Sequence, residues 1–314
     1  MDVWELLRDG IVLGVVLLGW GAAVVVIRRR WRDIGTSPDA VALVRRHSVC
    51  LEIIAACVLW VAVTVPPMFL IGLIGYPVRL LGHQLAALPM GGIVVVATLH
   101  LVGAAVWPQR TTPVRAAGLN PRTSNDITSR YARRLMHVWL ATLVGVSIGL
   151  GLMASGLRVV SRVVDSYSAQ TTGPWPGWLW TVPLLIGAAI VLLVIHAAIR
   201  AIAAQPAFDM PRAQDLVIRR RLAGGLLRSA ALVFGLSVAG LTLVAGGALQ
   251  QLGSGLAVDV QSMAPGTTSP AHQIAGTLLV LLSFVIAVGA AISACWPERR
   301  AARSAPAVTA AAVS

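Results

Sequence analysis

The stretch from Trp107 to His137, WPQRTTPVRAAGLNPRTSNDITSRYARRLMH, decides how this chain is threaded. It carries Arg110, Arg115, Arg122, Arg130, Arg133 and Arg134 against a single acid, Asp126. Strongly apolar segments flank it, and a loop of the same kind lies roughly 88 residues away on either side. Arginine-rich loops between apolar runs mark the side of a membrane that is not translocated.

The composition agrees with that reading. Hydrophobic residues make up 57% of the 314, charged residues only 12%, and mean hydropathy is +0.81. A soluble domain of this length carries roughly twice that charge. A net charge of +13 suggests nucleic acid at first sight. The arginines, however, stand at the ends of apolar runs, where membrane sidedness explains them without any nucleic acid. All 25 basic residues are arginine, and with so much Ala, Val and Gly this points to a bacterial, GC-rich genome.

The sequence predicts an all-α fold: a polytopic integral membrane bundle of seven spans in the cytoplasmic (inner) membrane, N-terminus out and C-terminus in. Runs long enough to cross about 30 Å of hydrocarbon as helix fall at 11–27, 48–73, 91–107, 135–157, 179–199, 226–249 and 274–294. The first run is followed, not preceded, by Arg28-Arg29-Arg30, the reverse of a signal peptide's order, so an uncleaved first span is expected. Residues 1–300 form one transmembrane domain, and 301–314 form a disordered cytoplasmic tail. Counting arginines supports the threading. Each of the three inner loops with its flanks holds six and the tail holds three, whereas Arg8, Arg79, Arg158 and Arg162 fall outside.

Smaller expectations attach to single stretches. Residues 74–90 read as an outer interfacial segment ahead of the third span. Gly145-Val-Ser-Ile-Gly149 is a small-xxx-small pattern that lets another helix approach. Arg158, Arg162 and Asp165 read as a continuation of the fourth helix beyond the membrane. Trp175, Trp178 and Trp180 read as an aromatic belt at the lipid–water boundary. The loop 250–273 reads as polar and flexible. Cys50, Cys57 and Cys295 lack the spacing of a zinc site and read as small apolar fillers.

Arg45-Arg46, Arg133-Arg134 and Arg220-Arg221 recur at intervals of 88 and 87 residues, each pair just before an inside-to-outside span. An acid lies upstream each time: Asp39, Asp126, Asp215. Either a threefold hairpin duplication or the ordinary basic character of inner loops produces this. Within residues 113–137, Ala117-Gly-Leu-Asn-Pro-Arg-Thr-Ser-Asn-Asp126 followed by Tyr131-Ala-Arg-Arg-Leu resembles a loop of the SdpI-like immunity and signalling membrane proteins. Gly118 and Tyr131 match that family's spacing. Asn120 stands where the family has arginine, and the asparagine before the glycine is missing. The resemblance implies binding to a peptide toxin or a regulator instead of catalysis.

Two constellations could carry chemistry. Glu52 is the acid expected inside a span, where a carboxylate is costly and normally faces the bundle interior with a partner. It is a candidate for a proton or cation pathway, or for pairing with Arg45 or Arg46. His47, His100, His137 and His196 all fall near the inner ends of spans two to five, and imidazoles from facing helices can hold haem or a transition metal. No Walker A loop, HExxH helix or GxSxG elbow occurs in the sequence.

Three classes follow. The leading one is a non-enzymatic component acting through a protein partner, with no resident cofactor and with anionic lipid headgroups held on its cytoplasmic arginines. The second is a small transporter with Glu52 in its pathway. The third is a haem- or metal-binding redox protein. Under the leading class, detergent-purified protein is colourless and metal-free. A Soret band or a stoichiometric metal in that preparation would move the assignment to the third.

Overall fold

The computed structural model describes residue 53, which is helical, and residues 81–105, 123–157, 159–164, 169–205, 212–254, 258–259 and 267–295. In chain order the elements are helices α1 (Leu81–Ala105), α2 (Ser124–Ile127) and α3 (Arg130–Leu152), strands β1 (Val160–Val163) and β2 (Ala169–Thr172), helices α4 (Trp178–Ala204) and α5 (Arg212–Gly253), strand β3 (Val258–Asp259), and helix α6 (Pro270–Cys295). Four of them, α3 to α6, are long and apolar enough to cross a membrane. They match the fourth to seventh expected spans. The first two expected spans lie outside the described residues, apart from Ile53, and so does the tail.

Among the described elements, helix α5 is the central one. It packs against α6, α3, α1 and α4, and 67% of its most apolar window is buried, against 11% for α6. A helix that is apolar on every side is stable only when other elements surround it. Phe234, Ala230, Ala231, Val233 and Val238 of α5 are fully buried, as are Leu143 of α3, Val191 of α4 and Ile93 of α1.

Helices α5 and α6 meet backbone to backbone. A Cβ added to Gly246 would stand 2.8 Å from the carbonyl oxygen of Gly276, and one added to Gly276 would stand 2.6 Å from that of Gly246. One on Gly253 would meet the Gln273 amide nitrogen at 2.5 Å. This is how helices associate where lipid removes the hydrophobic drive between them: small residues let the backbones approach. The side chains of Gln250 and Thr277 then bond across the same seam at 3.1 Å. Among the described residues the 145–149 pattern does not serve this purpose, because none of them lies within 4 Å of a Cβ at Gly145 or Gly149. On α3 it is Gly151 that is approached, by the Trp178 ring at 2.9 Å.

At one end of the bundle the chain forms a three-stranded antiparallel sheet in the order β1-β2-β3. Val160 pairs with Thr172, Val163 with Ala169, and Gln170 with Asp259. This corrects the expected continuation of the fourth helix through Arg162. The helix stops at Leu152 because Ser155 and Gly156 follow, and Val159-Val160 and Val163-Val164 are β-branched residues that suit a strand. Arg162 ties the sheet to the approach to α6, its Nη2 donating to Gln170 Oε1 (2.8 Å) and to the carbonyl (2.9 Å) and hydroxyl (2.8 Å) oxygens of Thr267. Part of the polar 250–273 loop is therefore in regular structure.

The tryptophans are also reassigned. Trp175 is fully buried and Trp180 nearly so. The Trp175 indole donates to the carbonyl of Leu150 at 2.9 Å, one of the carbonyls that the end of α3 leaves without a helical partner. Only Trp178, 38% exposed, keeps the character of a boundary residue. Residues 81–90 of the expected interfacial segment, Pro89 among them, belong to the continuous helix α1. Neighbouring helices can re-satisfy the backbone group that a proline frees.

The glycine seam yields a sharp contrast. Gly246→Val and Gly276→Val each force backbones apart and lower the thermal midpoint in detergent, by an amount corresponding to about 1–3 kcal/mol or more of overpacking. Gly145→Ala and Gly149→Ala leave it unchanged or raise it, by up to about 1 kcal/mol, because alanine fits an open helical position better than glycine.

Candidate functional site

The starts of α3 and α5 and the end of α4 lie together, joined by the short helix α2. The N-terminus of α3 is set by Ser129, whose hydroxyl accepts from the Ala132 amide at 3.0 Å, a standard way to satisfy a first-turn donor. Arg130, Arg133 and Arg134 then occupy the first turns of α3, where the helix dipole disfavours cations. Helix stability does not explain them there.

Helix α2 is closed by its own acid. Asp126 Oδ2 accepts from the Thr123 amide and hydroxyl, both at 2.9 Å. The carbonyl of Asp126 in turn accepts from Arg220 Nε at 2.8 Å, and Arg133 Nη1 donates to Asn125 Oδ1 at 2.7 Å. The central loop is thereby pinned to α5 on one side and to α3 on the other.

Beneath that contact lies a pair that sequence reading did not single out. Arg219 is fully buried, and its Nε bonds both oxygens of Asp215, at 3.0 and 3.1 Å, one turn back on the same helix. Its Nη1 donates to the carbonyl of Ile202 and, at 3.5 Å, to that of Ala203. These are carbonyls of the last turn of α4, which have no helical partner and carry the negative end of the α4 dipole. Arg219 therefore satisfies one helix end while its charge is balanced by Asp215. The Asp-x-x-x-Arg spacing of Asp215 and Arg219 inside a helix is the signal for it in the sequence, beside the more prominent Arg220-Arg221.

The predicted residues divide accordingly. Arg134 and Arg220 are exposed, and Arg133 and Arg221 are half-buried. With Arg130 and Arg200, also exposed, they give this end a basic surface. His100 is buried on α1. His137 is exposed, with Nδ1 2.7 Å from the carbonyl oxygen of Arg133 in its own helix, and His196 is exposed on α4. Among the described residues no three of His, Cys, Asp and Glu gather as a metal ion would need. Glu52, His47, Arg45 and Arg46 lie outside the described residues. The two described acids of the recurring pattern do different work, since Asp126 closes a separate short helix while Asp215 pairs with an arginine on its own.

Removing Arg219 takes away its bonds to the buried Asp215 carboxylate and to two helix-end carbonyls. Arg219→Leu is expected to cost about 3–5 kcal/mol, the range for breaking a buried pair on one side. Arg219→Lys recovers only part of this, because an ammonium lacks the planar fork that reaches both partners. Thermal unfolding of both variants in detergent measures the difference. Comparison of the chain with known protein families, with curated proteins and with solved structures finds no match.

Proposed function

We propose that this chain is a non-enzymatic multi-pass component of a bacterial cytoplasmic membrane, with seven spans, N-terminus out and C-terminus in, acting by binding a partner at its arginine-rich end. The observation that carries the reading is the division of labour among the charges at that end. The buried Asp215 and Arg219 are committed to holding α4 and α5 together, and Asp126 to closing α2. Arg130, Arg134, Arg200 and Arg220 are left exposed on a framework that these bonds make rigid. Such a surface suits anionic lipid headgroups at the cytoplasmic face and an acidic protein surface docking beside them. The resemblance of residues 113–137 to the SdpI-like immunity and signalling proteins points the same way. No resident haem or metal is part of this reading.

A transporter with Glu52 in its pathway is the second reading. It is favoured by Arg228, a charged residue 9% exposed within α5, since ionisable groups inside spans mark polar pathways.

Partner binding is tested by affinity purification from cross-linked membranes of the native host, comparing the wild type with R130Q/R134Q/R200Q/R220Q. One protein recovered in stoichiometric amount with the wild type, and lost with a variant that still folds, is the expected result. Solute uptake into proteoliposomes that Glu52→Gln abolishes, with no partner recovered, would replace this reading with the second. For the threading, C50A/C57A protein carries only Cys295, which is exposed at the end of α6. A membrane-impermeant maleimide is expected to label it in inverted vesicles and not in right-side-out ones.

A further inference from the structure

The end of the molecule opposite the arginines carries exposed apolar side chains beyond the last turn of a span. Along α3, Val138, Ala141, Gly145, Ile148 and Leu152 recur three or four residues apart and are all exposed, which makes them one face of the helix. On a helix long and apolar enough to cross a membrane, that face suits lipid. The apolar surface does not stop with the helix. Met153 and Leu157 in the turn that follows, and Val159 at the approach to β1, are exposed as well, Leu157 at 66% against 73% for Leu152. Apolar side chains this exposed are unfavourable in water, and a contiguous patch of them marks a contact with a partner or a membrane.

Close contacts fix the depth of the turn. A Cβ added to Gly177 would stand 2.7 Å from the carbonyl oxygen of Leu157 and 3.1 Å from Ala154 Cβ, so the turn lies against the residue that precedes Trp178. Trp178 is the boundary residue at the start of α4, and its ring lies against Gly151. A half-exposed tryptophan at the end of an apolar span sits at the lipid–water boundary, and the turn is held at that level. The backbone then says what covers it. Strand β1 is at the edge of the sheet, where another protein could add a strand. Here the Val159 carbonyl accepts from the Ser155 amide at 3.0 Å, and the Ser161 amide and hydroxyl donate to Ser155 Oγ at 3.0 and 2.6 Å. Strand addition needs such groups free, whereas lipid requires them to be satisfied within the chain. Arg162, the charged residue of β1, is turned to Gln170 and Thr267 and adds no charge to the patch.

We propose that the turn from Met153 to Leu157, together with Val159, is a lipid-binding anchor seated in the membrane boundary at the end opposite the arginines. The side chains of Met153, Leu157 and Val159 lie among the upper parts of the acyl chains, as the apolar side of an interfacial segment does. The lipid-facing side of α3 thus continues into the loop that joins α3 to α4. Because Leu157 is packed against Gly177 and Ser155 is bonded to β1, the anchor sets the depth of both helix ends and holds the small sheet at the membrane surface. The inference is independent of the partner at the arginine-rich end and holds equally for a transporter.

The test places an environment-sensitive fluorophore on single cysteines of the full-length protein, in a C50A/C57A/C295A background, reconstituted into phosphatidylcholine liposomes. L157C and M153C report the turn, and L193C, exposed near the middle of α4, is the reference inside the bilayer. All three positions are exposed, so the label does not have to enter the core. The labels at Leu157 and Met153 are expected to emit to the blue of the free label in water. They are expected to lose more intensity to a lipid with its nitroxide near the headgroup than to one with its nitroxide deep in the chain, and little to aqueous iodide. L193C shows the opposite preference between the two lipids. Water-like emission with strong iodide quenching at Leu157 and Met153 places the turn in solution and overturns the proposal. Blue-shifted emission that neither lipid quenches means that protein covers the turn, and overturns it too.

Discussion

Hydrocarbon offers no hydrogen-bonding partner to a backbone, and the architecture of this protein answers that constraint in two stages. Within each span the answer is the helix itself. At the helix ends, where four carbonyls or four amides are left over, the answer has to come from elsewhere in the fold. Arg219 reaches across from α5 to the last turn of α4, Trp175 reaches back to Leu150 at the end of α3, and Ser129 caps the start of α3. The bonds from Arg219 and Trp175 also join separate parts of the chain, so there satisfying the backbone and assembling the bundle are the same event.

The centre of the assembly is held differently. Helix α5 is buried by neighbours of two kinds. Toward α6 it presents Gly246 and Gly253 and allows the backbones to touch, and elsewhere it buries larger side chains such as Phe234 and Leu241. The glycine seam maximises close atomic contact where the hydrophobic effect between helices is absent. Helix α6 gains most of its contact from that seam, since its other faces carry exposed Leu278, Leu281, Phe284 and Val285, which suit lipid.

Charge is distributed by the same economy. The exposed arginines of α3, α4 and α5 stand at one end, and the acids described there are engaged in capping and pairing. The result is an end that is locally rigid and electrostatically positive. Arg220 belongs to both aspects, because it is exposed and also bonds the carbonyl of Asp126. A partner or lipid headgroup that engaged Arg220 would act on the central loop through a single hydrogen bond.

Hydropathy and arginine placement by themselves determined the class and the approximate positions of the helices corresponding to the fourth through seventh runs, because both are one-dimensional consequences of a slab of hydrocarbon. Which residues meet is a three-dimensional matter, and there the sequence was legible only in part. The Gly145–Gly149 spacing looks like a packing motif but meets none of the described residues, while Gly246 and Gly276, thirty residues apart, are a pair that touches. Trp175 and Trp180 have the composition of a boundary belt, yet both face inward, Trp175 because the end of α3 needs a donor. Arg219 differs from Arg220 by one position and a rotation of about 100°, and that rotation alone separates a buried helix-end clamp from an exposed basic surface. Residues 160–163 become a strand only because 169–172 and 258–259 return to pair with them. Helix rotation and the pairing of distant segments leave no local trace, so tertiary structure decided them.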